Sequence, residues 1–181
     1  MRETDAREIG IRAHSSQTYG EKHLPYSLHL DMVAGVLAEF LVDSDEIDQV
    51  AYLHDILEDT EWTSEDLKKH GFSEDVIGAV EFCTDAPGKN RKERKAATYE
   101  RMAEQLGVLP TQKYVKLGAL VKVADRIVNL RACHIWPNAS MLKMYMQEDE
   151  AFSEALWGHD WSGVVPDRMW NAYKMLVDPG G

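Results

Sequence analysis

The sequence predicts an all-α protein. Apolar residues recur at helical spacing along nearly the whole chain, and no stretch of useful length alternates apolar with polar. Serine, threonine, proline and glycine fall where helices should start and stop. At 181 residues the chain fits one domain, spanning 1–181, and is long enough to bury a core without disulfides. Leu28, Met32, Val33, Val36, Leu37, Phe40 and Leu41 form one face of an amphipathic helix. Ile47, Val50, Ala51, His54 and Leu57 trace the next, with the Asp43-Ser44-Asp45 turn supplying its N-cap. Thr63 followed by Asp66, and Ser73 before Glu74-Asp75, mark two shorter helices, and Gly71 ends the first of them. A loop at Asp85-Ala86-Pro87-Gly88 precedes a highly charged helix over about 90–105, which Gly107 stops. Pro110 opens the longest segment, through Val115, Leu120, Val121, Ala124, Ile127 and Val128, and Pro137 closes it. Two more helices are expected near 141–157 and 166–177, in a final third that carries four of the five tryptophans. Those rings are assigned to the core or to contacts within a homo-oligomer.

Charge narrows the function classes. Basic residues number 20 and acidic ones 31, for a net charge of −11, so the surface repels nucleic acid and anionic membranes at long range. A small phosphorylated ligand in a locally positive pocket remains compatible. Cys83 and Cys133 form no CxxC pair and read as reduced thiols. Met1-Arg2-Glu3-Thr4-Asp5 contains no apolar leader, and no stretch approaches the roughly 18–20 uninterrupted apolar residues of a membrane span. A cytoplasmic protein is expected.

One cluster of metal-ligand types stands out: His29, the doublet His54-Asp55, and Asp125. Periodicity points His54 inward with Ile47, Val50 and Leu57, and sets His29 beside Met32 and Val33. A carboxylate near an apolar stripe is costly unless it is paired or binds a cation, so Asp55 and Asp125 need partners. One divalent ion held by two imidazoles and two carboxylates satisfies all four groups. Such a thiolate-free set suits Mn²⁺, Fe²⁺, Co²⁺ or Zn²⁺. On a continuous helix Asp55 aligns with Asp59 and His54 with Glu58, concentrating acids and imidazoles within one apolar run. Asn129 lies one turn beyond Asp125 and brings an amide to the same face.

The order His…His-Asp…Asp resembles the signature of HD-domain metal-dependent phosphohydrolases. Three longer strings narrow the likeness: Pro25-Tyr26-x-x-His29, Leu53-His54-Asp55-x-x-Glu58-Asp59-Thr60, and Lys122-x-Ala124-Asp125-Arg126-x-x-Asn129-Leu130-Arg131. They are similar to the hydrolase half of RelA/SpoT proteins and to small alarmone hydrolases, as is Thr84-Asp85 followed by Arg91-Lys92-Glu93-Arg94-Lys95. The likeness covers about 10–132, and helices over about 138–178 complete the domain. It implies a helical HD bundle and hydrolysis of the 3′-pyrophosphate of (p)ppGpp with Mn²⁺ held by His29, His54, Asp55 and Asp125. That ion acidifies a bound water and polarises a phosphoryl oxygen. Glu58 and Asp59 match the acidic pair that orients or deprotonates the water. Lys22, Arg91, Lys92, Arg94, Lys95, Lys122 and Asn129 are the implied substrate contacts.

The basic run Lys89, Arg91, Lys92, Arg94 and Lys95 is dense for so acidic a protein. Cations in a first helical turn oppose the helix dipole, which an anionic ligand offsets. Arg126 and Arg131 stand beside Asp125 as phosphate contacts or surface ion pairs. Two departures from the family pattern bear on specificity. Leu30 follows His29 where proline is usual, and Gly20-Glu21 stands where an Arg-Lys pair would hold the guanine nucleotide. A nucleoside monophosphate or deoxynucleotide phosphohydrolase, and a non-catalytic nucleotide sensor, therefore stand as alternatives.

Overall fold

The computed structural model describes residues 3–20, 22–157 and 164–178. Met1, Arg2, Glu21 and Trp161, which the sequence reading names, lie outside the described residues. Among the described residues the architecture is helical, with one two-stranded ribbon.

A first helix, α1 (Glu3–Ala13), packs on α2 (Tyr26–Glu39) and α3 (Asp45–Leu53). The chain then forms a short hairpin, β1 (Thr18–Tyr19) against β2 (Leu24–Pro25), pairing Thr18 with Pro25 and Tyr19 with Leu24. Gly20 and His23 adopt φ of +67° and +50°, which closes the turn between them. The sequence reading contained neither α1 nor this ribbon. α2 (Tyr26–Glu39) follows at once and buries His29, Leu30, Val33, Val36 and Leu37. Leu30 is fully buried in this regular helix, so leucine where the family has proline adds core packing.

The next expected helix is broken in two. α3 (Asp45–Leu53) starts at the Ser44 cap, whose side chain accepts from the Ile47 N–H at 3.2 Å. It stops at a turn formed by His54 and Asp55, and α4 (Ile56–Asp59) resumes beyond it. α5 (Ser64–Lys69) carries the full Thr63–Asp66 capping box, and Gly71 ends it at φ +83°. Ser73 caps α6 (Glu74–Cys83). Asn90 caps α7 (Arg91–Val108), which runs through Gly107 rather than stopping there, because Leu106 is buried and holds that last turn.

The longest helix, α8 (Lys113–Ile135), is the axis of the molecule. Thirteen of its residues are buried, and it packs against α2, α3, α6, α9 (Ala139–Trp157) and α10 (Asp167–Val177). Core residues run from Ala6 to Val177 in one cluster. Each fully buried Leu, Ile, Val or Phe in it contributes roughly 1.5–3 kcal/mol of transfer free energy. The tryptophans separate by role: Trp157 and Trp170 stack at 4.9 Å and Trp62 packs on His70, whereas Trp136 lines a cavity.

Candidate active site

Four donor atoms from three segments converge where α2, the α3–α4 turn and α8 meet. His29 Nε2 lies 3.3 Å from His54 Nε2, 3.5 Å from Asp55 Oδ2 and 3.4 Å from Asp125 Oδ1. His54 Nε2 lies 3.0 Å from Asp55 Oδ2 and 3.9 Å from Asp125 Oδ1. Both imidazoles are buried, while the two carboxylate side chains keep 15% of their surface exposed toward a cavity. His54 Nδ1–H donates to the Ala51 carbonyl at 2.8 Å, which leaves the Nε2 lone pair facing the other three donors.

The turn explains how adjacent residues share one target. Neighbouring side chains on a helix diverge by about 100°. Here Asp55 takes φ −101° and ψ −1°, outside regular helix geometry, so it and His54 point the same way. The continuous-helix alignment expected from sequence is therefore corrected. Glu58 and Asp59 reach the cavity from α4, a separate short helix, not from the helix that carries Ala51.

The cavity measures about 130 Å³ and is lined by His29, Asp55, Glu58, Asp59, Arg91, Lys95, Lys122, Asp125, Arg126 and Asn129, with Tyr19, Tyr26 and Tyr145. Lys122, Asp125, Arg126 and Asn129 come from one face of α8, as three- and four-residue spacing requires. Asn129 Nδ2 donates to Asp125 Oδ1 at 2.6 Å and its Oδ1 accepts from Tyr19 at 3.0 Å, which ties β1 to the cluster. The Tyr26 hydroxyl donates to Asp55 Oδ2, and the Asp85 N–H donates to Glu58 Oε2 at 3.2 Å. Tyr19 stacks on His29 and His14 stacks on Tyr26, closing the wall opposite α8.

These contacts reset the ionisation of the site. Burial works against a proton on His29, but hydrogen bonds to Asp125 and Asp55 outweigh it and push the ring up to about 9. His54 is raised as well: burial opposes its charge and Asp55 favours it more. Burial raises Asp55 and Asp125, yet the facing imidazoles hold both well below the usual carboxylate range. Asp59 moves the other way, raised by burial and by the charges of Asp55 and Glu58. Lys122 loses from burial but is raised on balance by Asp125, and its Nζ donates to the Cys83 carbonyl at 2.9 Å.

The donor set fits a divalent cation. Two imidazole lone pairs facing each other at 3.3 Å repel unless a proton or a cation lies between them. A stability expectation follows for protein stripped by chelation. The folded pKa of His29, about 9, exceeds its ordinary 6.5, so its contribution is complete below pH 6.5 and is lost as pH rises through 9. The melting temperature of stripped protein should fall between pH 7 and 9.5. Protein reloaded with metal should stay level, since the cation replaces the proton. Scanning fluorimetry with and without chelator checks this, and parallel curves would refute it.

The basic run behaves differently from its sequence reading. Arg91 is engaged by Glu148 of α9 in a two-pronged pair at 2.8 and 3.3 Å. Lys95 Nζ sits 2.7 Å from Asp85 Oδ1, and Arg94 lies 3.9 Å from the other Asp85 oxygen. Arg91 and Lys95 still line the cavity beside the histidine–aspartate cluster, and Lys92 lines a neighbouring one, but Arg94 faces Asp85 instead. Lys22 stands exposed in the tight β1–β2 turn and lines none of these cavities. Arg131 pairs with Glu39 at 2.7 Å on the surface, whereas Arg126 is buried against Tyr99 and Glu148. Sequence reasoning assigned no role to Tyr19, Tyr145 or Glu148. Tyr26 was visible only as part of a motif. The Tyr26 hydroxyl supports a carboxylate of the cluster, so Tyr26→Phe should weaken metal binding about 10–100-fold in a chelator competition. An unchanged affinity would remove that role.

A fold built around this cluster defines a class. A family model described as an HD domain matches residues 6–148, and the chain belongs to that family. Over 121 residues the chain is 34% identical to the guanosine-3′,5′-bis(diphosphate) 3′-pyrophosphohydrolase of Vibrio cholerae, covering 66% of this chain and 16% of that protein. It is 33% identical over 108 residues to the enzyme of the same name, MESH1, from Drosophila melanogaster, covering 59% of this chain and 55% of the other. The chain thus spans about one sixth and about half of these two relatives. A solved metazoan ortholog of SpoT, which hydrolyzes ppGpp, superposes with a TM-score of 0.79 at 22% identity, over 99% of this chain and 95% of that one. That superposition establishes the fold. Among the described residues no helix is long and apolar enough to cross a membrane.

Proposed function

We propose that the protein is a metal-dependent (p)ppGpp 3′-pyrophosphohydrolase acting on the cytoplasmic nucleotide pool. The observation that carries this reading is the convergence of two imidazoles and two carboxylates beside Lys95, Lys122, Arg91 and Arg126 in a chain of net charge −11. The names of the Vibrio and Drosophila relatives support the nucleotide. His29, His54, Asp55 and Asp125 would hold one divalent ion, Mn²⁺ in this reading, which supplies charge against a phosphoryl oxygen and acidifies water.

The remaining chemistry belongs to the chain. Glu58 is fixed by the Asp85 N–H, and Asp59 has its proton affinity raised by burial and neighbouring carboxylates. Together they orient the attacking water and take its proton. Water oxygen adds to the phosphorus attached to the ribose 3′ oxygen, that P–O bond breaks, and the 3′ oxygen is protonated. Lys122 and Lys95 hold non-bridging oxygens, and Asn129 holds the water or the ribose. A second cavity, of about 260 Å³, opens beside Tyr19, Asn129 and Tyr145 and is walled by Ala132, Cys133, Trp136 and Met141. Its flat apolar surfaces suit a nucleobase. Base reading there relies on stacking, since Gly20 offers no side chain.

The deciding experiment incubates metal-loaded protein with ppGpp, nucleoside monophosphates and deoxynucleotides, and resolves the products by chromatography. Pyrophosphate and GDP from ppGpp are expected. Orthophosphate from a monophosphate would replace this reading with a phosphomonoesterase, and no turnover on any substrate would leave a sensor.

A further inference from the structure

The segment between α1 and β1 carries a buried polar group that the mechanism does not use. His14 is only 1% exposed, stacks on Tyr26 at 4.6 Å, and its Nε2 has no hydrogen-bond partner among the described residues. An unpaired buried nitrogen is costly, so a ring that served packing alone would do better as phenylalanine. The other ring nitrogen supplies the reason for a histidine. Gln17 Nε2 donates to the Asp59 carbonyl at 2.6 Å, which leaves Gln17 Oε1 as an acceptor, and His14 Nδ1–H donates to that oxygen at 2.8 Å. These two bonds fix the His14 tautomer and the Gln17 amide together.

Asp59 needs such an anchor. α4 is a single turn of four residues, too short to hold itself, and the carbonyls at its end find no partner within it. Ile56 is buried at its start and Glu58 is held by the Asp85 N–H, whereas Asp59 is tied through its main chain to Gln17. The anchor is itself held in place. The Gln17 carbonyl accepts from the Tyr26 N–H at 3.3 Å, and the Gln17 N–H donates to the His14 carbonyl at 2.9 Å. The His14 N–H donates to the Gly10 carbonyl at 3.1 Å. There α1 approaches α3 so closely that no side chain fits between Gly10 and the Tyr52 carbonyl. A line of contacts thus runs from α3, through α1, to the end of α4.

We propose that His14 and Gln17 are positioning residues for Asp59, pinning the end of α4 so that the Asp59 carboxylate stays beside the attacking water. The inference rests on the role given to Asp59 in the hydrolase reading and extends it to the segment that joins α1 to β1. Neither His14 nor Gln17 lines the cavity beside the histidine–aspartate cluster, so both act through Asp59.

Solvent exchange of the Glu58 and Asp59 amides, followed by NMR on zinc-loaded protein, tests it without any substrate. Both amides donate to the Asp55 carbonyl, so their exchange reads the opening of the α4 turn. Gln17→Met and His14→Phe should each speed it about tenfold, with the Val50 and Leu53 amides unchanged. His14→Phe keeps the ring against Tyr26 and loses only the donor. His14→Asn returns an N–H to the same place and should stay within about threefold of wild type. In metal-loaded protein kcat should fall about ten- to a hundredfold in the first two variants, with KM and metal content held. Gln17 is partly exposed, so Gln17→Met carries the test alone where a His14 variant fails to fold. Exchange in Gln17→Met indistinguishable from wild type would overturn the proposal. So would a folded His14→Asn that behaves like His14→Phe. A raised KM with kcat unchanged would assign Gln17 to the substrate, and a loss of metal would route His14 through Tyr26; either result overturns it too. Turnover of ppGpp by wild-type protein is scored separately. Absent turnover with the expected exchange pattern removes the nucleotide reading and leaves the anchor standing. Turnover with unaltered exchange removes only the anchor.

Discussion

Asp125→Ala and His54→Ala should each empty the metal centre and unfold the protein at markedly lower temperature. Asp125 faces His29 at 3.4 Å and Lys122 lies one turn away on the same helix, so its loss strands buried positive groups. His54 faces Asp55 at 3.0 Å and is buried, so its loss strands a carboxylate. Removing one partner of a buried charged pair typically costs about 3–5 kcal/mol. In a chain of this size each kcal/mol shifts the melting temperature by roughly 2–4 °C. Metal analysis of purified wild type should return about one divalent ion per chain, and each variant should return little. Thermal melts should show the loss of stability, and nucleotide hydrolysis should disappear with the ion. Full metal content in both variants would refute the ligand assignment.

Glu58→Gln and Asp59→Asn should show the opposite separation, with chemistry lost and metal kept. Both side chains line the cavity beside His29, Asp55 and Asp125, and neither belongs to the close donor group of His29, His54 and Asp55. Each substitution preserves shape. Removing one acid–base group costs about 10²–10⁴ in rate. Asp59 carries the more informative readout. Its proton affinity is raised by burial, Asp55 and Glu58, so the rate should depend on pH above the ordinary carboxylate range. In Glu58→Gln one of those like charges is removed, and the acidic limb of the pH–rate profile should move to lower pH. A kcat near wild type in both variants, with ppGpp under saturation, would mean the pair does not act on water.

The residues of the cluster were legible because they break a pattern. His29, His54 and Asp125 sit on or beside apolar stripes, and polar groups there demand partners. Helix starts were legible where side-chain caps exist, as at Ser44, Thr63, Ser73 and Asn90. The hairpin was not, since strands of two residues carry no alternation to detect. The turn at His54-Asp55 was hidden as well, because Ala51 to Glu58 contains neither glycine nor proline to signal it. Glu148 lies between Gln147 and Asp149-Glu150 and reads as part of a solvated acidic face. Only the approach of α7 to α9 brings it against Arg91 and Arg126. Pairing between distant elements also explains why the basic run looked free in sequence.

The interruption between α3 and α4 limits how far this molecule can be made more robust. Leu53 and Ile56 are fully buried on either side of it, so both halves are anchored and only two residues stay irregular. A variant that restored one uninterrupted helix through 53–56 would gain regular backbone geometry there. It would also turn His54 and Asp55 apart and dissolve the cation-binding corner. Directed evolution for heat resistance should therefore leave His54 and Asp55 in place, because their loss strands buried partners, and should draw its gains from the cap residues around the kink.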